Sequence, residues 1–336
     1  RSWVADLRPL GVSAGELRVL VTDPTQAAYL RDQCTSAFVG IANLLSGYLL
    51  PVRFVTTVED EPAIEPAPPP NMGPGRLSPD YTFDQFVVGP SNRLAHAACR
   101  AVCSQPGTLY NPLFVHGASG LGKTHLLQAT CTDMRRMNPA AKCVYMSCET
   151  FVNEFIRAIE HGRLPEFRDA AREADVLAID DVQFLANRES SQEELFHTFN
   201  VLYQNRRQII LSADARPSDI PTLEDRLVSR FNWGLVAQID PPNRETRHAI
   251  LQKKARLRGC EVPDEVLDYI AQRVEDNIRV LEGALTKLIS ERQIGGRPLT
   301  IDTARQVLDD FQGGRAEAGA REPHSAGGVA VLRNQA

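Results

Sequence analysis

The strongest chemical signal in the chain is the run Gly117-Ala-Ser-Gly-Leu-Gly-Lys-Thr124. Glycines at this spacing let successive backbone N–H groups turn toward one point and cradle phosphate oxygens. Lys123 stands where an ammonium reaches β- and γ-phosphates, and the Thr124 hydroxyl is a hard oxygen ligand suited to Mg²⁺. The run therefore reads as a site for ATP and Mg²⁺, formed by Gly117, Ser119, Gly120, Leu121, Gly122, Lys123 and Thr124. A chance glycine-rich turn would share the composition. It would lack the apolar strand Leu113–His116 running in and the helix leaving from Lys123, whose N-terminus adds partial positive charge.

A second signal follows about sixty residues later. Val176-Leu-Ala-Ile-Asp180-Asp181 is an apolar strand that ends on two carboxylates. Downstream of a phosphate loop, Asp180 is expected to hold the Mg²⁺ water shell and Asp181 to orient or deprotonate the attacking water. Paired acids at a strand end are by themselves more often solvated turn residues. The phosphate loop upstream favours catalysis.

These residues need a scaffold, and the hydrophobic pattern supplies one. Leu113–His116, Cys143–Ser147, Val176–Asp180, Gln208–Ser212 and Leu235–Ile239 read as short buried strands. Helical stretches alternate with the first four; in Gln192–Arg206, Leu195, Phe196, Phe199 and Leu202 share one face. Alternation of this kind predicts an α/β domain with a five-stranded parallel sheet over 79–241. After Pro241-Pro242 the strands stop, and four helical segments near 245–258, 264–274, 277–292 and 301–311 predict a small helical unit over 242–312. Residues 1–58 read as a small α/β domain, with strands at Leu17–Val21 and Val52–Val55 around a helix near Tyr29–Leu45. Residues 59–78 form a proline-rich linker, with seven prolines between 60 and 79, and 313–336 read as a disordered tail.

Composition narrows the class. Hydrophobic residues at 43% and charged residues at 24% are ordinary for a soluble globular protein. No apolar run approaches the roughly 20 residues of a membrane span, and Arg1–Leu10 carries no signal-peptide core, so a cytoplasmic protein is expected. With no initiating Met, a fragment or a processed N-terminus is expected. Seven cysteines with no C-x-x-C pair read as reduced thiols. Cys99 and Cys103 fall one helical turn apart; a metal pair is one reading, small buried residues the other and commoner one. A net charge of −5 places any nucleic-acid contact on a local surface rather than in the average field.

Tyr81–Arg93, Asn111-Pro-Leu-Phe114, the phosphate loop with Thr124-His-Leu-Leu127, Ile179–Phe184, Gln192–Asn200 and Leu223–Leu235 together resemble the DnaA family of bacterial replication initiators. The resemblance covers 77–312, and more loosely 1–58. It implies an AAA+ ATPase with a helical lid. It implies an adenine pocket along Phe86–Asn92 with Val87, Val88 and Asn92, and sensor 1 at Asp214. It also implies an arginine finger at Arg230 acting on a neighbouring protomer, with Arg226 as the second basic residue, and sensor 2 at Arg279 on the protomer's own ATP. Guanidinium groups at such places suit the spread charge of a transferring phosphoryl group. The segment Glu149–Arg163 resembles the family's single-stranded-DNA element, with Val152 and Arg188 at contact positions. Packing for Val152 and solvation for Arg188 are the plain alternative. Ser190 departs from the family's usual basic residue and Val280 from its usual Glu. Too few residues follow Phe311 for the helix-turn-helix that reads duplex boxes, so weak duplex binding without box preference is expected.

The implied function is ATP-dependent initiation of DNA replication. ATP drives self-assembly into a filament at the origin, single-stranded DNA is engaged, and slow hydrolysis to ADP and phosphate ends the state. Residues 1–58 would recruit a replicative helicase or regulator. A related regulator of initiation and a helicase-loading AAA+ ATPase would share the same site; the N-terminal unit and its linker favour the initiator.

Overall fold

The computed structural model describes residues 7–13, 16–46, 51–56, 75, 77–275 and 277–319. Trp3, most of the proline-rich linker and the chain after Gly319 lie outside the described residues.

The N-terminal unit pairs β1 (Arg8–Ser13) antiparallel with β2 (Glu16–Leu20), and β2 parallel with β3 (Val52–Val55). Between β2 and β3 the chain runs through α1 (Pro24–Tyr29), a wide turn over Leu30–Cys34 and α2 (Thr35–Ser46). Val19, Val21, Ala27, Leu30, Val52 and Phe54 bury their side chains together. Strand β1 carries Pro9 and Gly11 and no alternating pattern, which hides it from a reading of periodicity.

The central unit opens with α3 (Arg93–Ser104) and β4 (Leu113–His116), followed by α4 (Lys123–Met137), β5 (Cys143–Ser147), α5 (Cys148–Glu160), α6 (Leu164–Arg172) and β6 (Val176–Asp180). It continues through α7 (Glu189–Gln204), β7 (Gln208–Ala213), α8 (Asp225–Phe231) and β8 (Leu235–Gln238). The five strands form one parallel sheet in the order β5-β6-β7-β4-β8. Both faces are covered, and the side chains divide with the period of two that a strand dictates. Phe114, Val144, Met146, Leu177, Ile179, Ile209 and Leu211 enter one core; Leu113, Val115, Cys143, Val176, Ala178 and Ile210 enter the other. In such a sheet ligands bind beyond the carboxyl ends of the strands. The carboxyl ends of β4, β6 and β7 lie side by side.

Cys99 and Cys103 sit in the second core, where burial pushes both thiols up to about 12. They stay protonated at neutral pH and pack as small apolar groups.

The helical unit contains α9 (Arg244–Leu257), α10 (Asp264–Arg273), α11 (Ile278–Gly295) and α12 (Ile301–Gly319) around Leu251, Val266, Leu267, Leu281, Leu285 and Leu288. Two findings differ from the sequence reading. Val87–Ser91 belongs with this unit rather than with the sheet, because Val87 packs on the helical core and Gly89 abuts Thr246. A Cβ on Gly89 would stand 2.3 Å from the Thr246 hydroxyl. The last helix also runs to Gly319, past the expected start of a disordered tail at 313, since Arg315-Ala-Glu-Ala318 are good helix formers after the Gly313-Gly314 pair. Among the described residues no helix is long and apolar enough to cross a membrane.

Candidate active site

The phosphate loop leaves β4 at Gly117 and enters α4 at Lys123. Its geometry requires glycine. A Cβ on Gly117 would lie 2.3 Å from the Ile239 carbonyl oxygen, and Gly122 takes a φ of +98°, which side-chain-bearing residues avoid. Pairing of β4 with β7 sets His116 opposite Ala213, so Asp214, one residue further, arrives beside the loop. Lys123 is only 5% exposed and its ammonium donates to three oxygens: Gly117 O at 2.7 Å, Ala118 O at 3.2 Å and Asp214 Oδ1 at 2.5 Å. Asp214 remains 44% exposed.

Pairing of β6 with β7 sets Ile179 opposite Leu211 and brings Ser212 against Asp180. The buried Asp180 carboxylate accepts from the Ser212 hydroxyl on one oxygen and from the Tyr145 hydroxyl, at 3.0 Å, on the other. Ser212 Oγ in turn accepts from the Asp181 N–H at 3.0 Å. Asp181 holds a left-handed φ of +59°, which turns its carboxylate away from the strand direction. Burial, then the adjacent Asp180 charge, raises its pKa above the ordinary aspartate value. Gln183 spans the gap: its Nε2 donates to Asp181 Oδ1 at 3.2 Å and to Asp214 Oδ2 at 3.3 Å, while its Oε1 accepts from the Asp214 N–H at 3.3 Å. One amide thus ties the carboxylate that follows β6 to the acid that holds Lys123. An ammonium, a backbone cradle, a hydroxyl at Thr124 and hard carboxylate oxygens at Asp180 fit a nucleoside triphosphate with Mg²⁺.

Residues 77–238 match the bacterial DnaA ATPase domain, and residues 244–308 match the lid domain described for Hda. The chromosomal replication initiator protein DnaA of Symbiobacterium thermophilum is 44% identical over 333 residues, covering 92% of this chain and 72% of that protein. The chain belongs to the DnaA family.

Solved members agree with this DnaA-family fold. Domain III of Thermotoga maritima DnaA superposes with a TM-score of 0.68 at 43% identity, covering 70% of this chain and 98% of that one. A replication initiator DnaA solved with AMPPCP and single-stranded DNA superposes with a TM-score of 0.61 at 38% identity, covering 66% and 67%.

The expected DnaA-family site residues fall into four groups. Gly117, Ser119, Gly120, Leu121, Gly122, Lys123 and Thr124 form the loop and first turn of α4, with Asp180, Asp181 and Asp214 at the strand ends beside it. Arg226 and Arg230 lie together on α8, against aromatic rings: the Arg226 guanidinium is 4.8 Å from the Phe196 centroid and that of Arg230 3.7 Å from the Trp233 centroid. Asn92 stands at the N-terminal boundary position of α3 in the central unit, whereas Val87, packed on the helical core, Val88, exposed, and Arg279 belong to the helical unit. Arg279 is exposed at the start of α11, its N–H donating to the capping Asn277 at 2.8 Å. Val152 and Arg188 form the fourth group. Arg188 is exposed at the head of α7, but Val152 is 1% exposed and packs in the first core with Phe151 and Phe155. Its side chain is a core residue, so the expectation of a DNA contact through Val152 is corrected: α5 turns it inward. The exposed positions of that helix are Glu149, Asn153, Ile156, Arg157 and Glu160.

Tyr145, Ser212 and Gln183 were not among the expected site residues. Tyr145 and Ser212 had a signal, polar groups near the carboxyl ends of apolar strands, but which carboxylate they meet depends on strand order. Gln183 had none.

Proposed function

We propose that this chain is an ATP-dependent initiator of DNA replication whose assembly is switched by its nucleotide. The observation that carries the reading is the Lys123–Asp214–Gln183–Asp181 chain of contacts beside the phosphate loop, which joins the group that meets phosphate to the group that activates water. In this reading Lys123 and the loop bind ATP, Thr124 and Asp180 hold Mg²⁺, and Asp181 acts on the attacking water. Val87, Val88 and Asn92 serve the adenine, Asp214 and Arg279 sense the γ-phosphate, and Arg230 reaches the ATP of a neighbouring protomer. Hydrolysis is slow because Arg230 acts only in the assembled state. Single-stranded DNA is engaged through a local surface that includes Arg188, as the family's structure with AMPPCP and single-stranded DNA suggests for this chain. Residues 1–58 recruit a partner of the replicative helicase or regulator class, 59–78 act as a linker, and the protein works in the cytoplasm.

Sedimentation of the parent and of Arg230→Ala with ATP and with ADP tests the switch. The parent assembles with ATP only. The variant keeps its ATP affinity, fails to assemble and loses about 10³-fold or more of its hydrolysis, the usual contribution of an arginine finger. Equal assembly of the parent in ADP, or normal ATP-driven assembly of the variant, would sink the reading.

A further inference from the structure

Arg230 is held by rings from two elements. Its guanidinium carbon lies 3.7 Å from the Trp233 centroid and 5.6 Å from that of Phe196 on α7. At 3.7 Å the cation must lie over the indole face, where the ring quadrupole attracts it. The ring is itself well fixed. Tyr203 of α7 packs on it with centroids 5.1 Å apart. The Trp233 N–H donates to the Arg230 carbonyl at 3.2 Å, closing the end of α8. The next residue, Gly234, lies so close to the start of β4 that a Cβ would stand 1.9 Å from the Pro112 carbonyl oxygen. The Leu235 N–H donates to that same oxygen at 3.1 Å. Trp233 is thereby pinned to the strand that leads into the phosphate loop, yet it is 50% exposed. Core packing alone does not explain a large indole half in water.

We propose that Trp233 is a positioning residue for Arg230, its indole face holding the guanidinium in place for the phosphate of a second copy of this chain. The proposal rests on the reading of Arg230 as acting between protomers. Stacking engages the face of a guanidinium, whereas its N–H groups donate in the plane, so the ring and a phosphate can be served together. An unrestrained arginine loses rotamer freedom when it docks; a stacked one has lost much of it beforehand. The neighbouring cation is kept out of competition: Arg226 donates to Glu224 and lies over Phe196.

The sequence has two tryptophans, so Trp3→Phe leaves Trp233 as the sole indole emitter. In that background, acrylamide quenching of the ADP-bound protomer should increase when Arg230→Ala uncovers one indole face. Assembly with ATP, followed by light scattering, should need roughly three- to tenfold more protein for Trp233→Leu, which keeps bulk without a π-face, and should be largely restored in Trp233→Phe. ATP affinity should not change in either variant. Unaltered quenching in Arg230→Ala, or assembly of Trp233→Leu equal to the parent, overturns the proposal; the quenching arm holds even where the leucine variant fails to fold. Normal ATP-driven assembly of Arg230→Ala would instead refute the trans role of the arginine, whatever the quenching shows.

Discussion

Replacing Lys123 by methionine probes the phosphate cradle at its most demanding point, because the side chain keeps an apolar stem only one atom shorter and loses the ammonium with its charge and N–H donors. What is left behind decides the cost to the fold. Asp214 loses a partner at 2.5 Å but is 44% exposed, so water can solvate its carboxylate, and a pair of this kind contributes about 1 kcal/mol or less. The Gly117 and Ala118 carbonyls lose donors at 2.7 and 3.2 Å, each worth about 1 kcal/mol. The loss of stability should therefore stay near 1–3 kcal/mol, a shift of a few degrees in Tm. ATP binding should suffer more. Two charge-assisted hydrogen bonds to β- and γ-phosphates contribute about 3–6 kcal/mol, less about 1 kcal/mol for parting the amine from Asp214. The remainder corresponds to at least about a 30-fold rise in Kd. Titration calorimetry with Mg²⁺-ATP measures the affinity, and a thermal melt without nucleotide checks the fold. A Kd within about threefold of the parent, in a protein that melts normally, would refute the cradle as the ATP site.

Three further predictions follow from other parts of the chain. Glu194 is 2% exposed and accepts from both Arg168 and Arg172, so Glu194→Ala should lower the denaturant midpoint by the equivalent of about 3–5 kcal/mol, and an unmoved midpoint would show the triad to be idle. Burial, aided by Arg100, lowers the pKa of His96 below 6.5, and the unfolded chain therefore takes up more protons as the solution is acidified. Stability from this group is full above about pH 6.5 and is lost as pH falls through the folded value; in His96→Phe the drop in Tm between pH 8 and pH 5.5 should shrink, and an unchanged drop would exclude His96 as its source. Val152→Ala should cost about 1–3 kcal/mol of stability, whereas Arg188→Ala should weaken single-strand binding in fluorescence anisotropy without moving Tm; the reverse pattern would return Val152 to the DNA surface.

Much of the proposed chemistry is legible along the chain because it is local. The phosphate loop needs glycines and a lysine within eight residues, and the carboxylate pair needs only an apolar strand before it. Strands β4, β5 and β6 fall where the buried runs place them, since a strand covered on both faces must be apolar throughout. The order of those strands is a different kind of fact. Only the sheet sets β7 between β6 and β4, and with it Ser212 against Asp180 and Asp214 against Lys123, residues 32 and 91 apart in sequence. Val152 shows the limit from the other side: a family position marks where a helix runs, but the direction a side chain faces is decided by what packs against that helix. The aromatic clamp on Arg230 has the same origin. Trp233 is only three residues from Arg230, but Phe196 reaches Arg230 and Tyr203 reaches Trp233 because α7 and α8 close over the same face of the sheet, and no spacing along the chain encodes those two contacts.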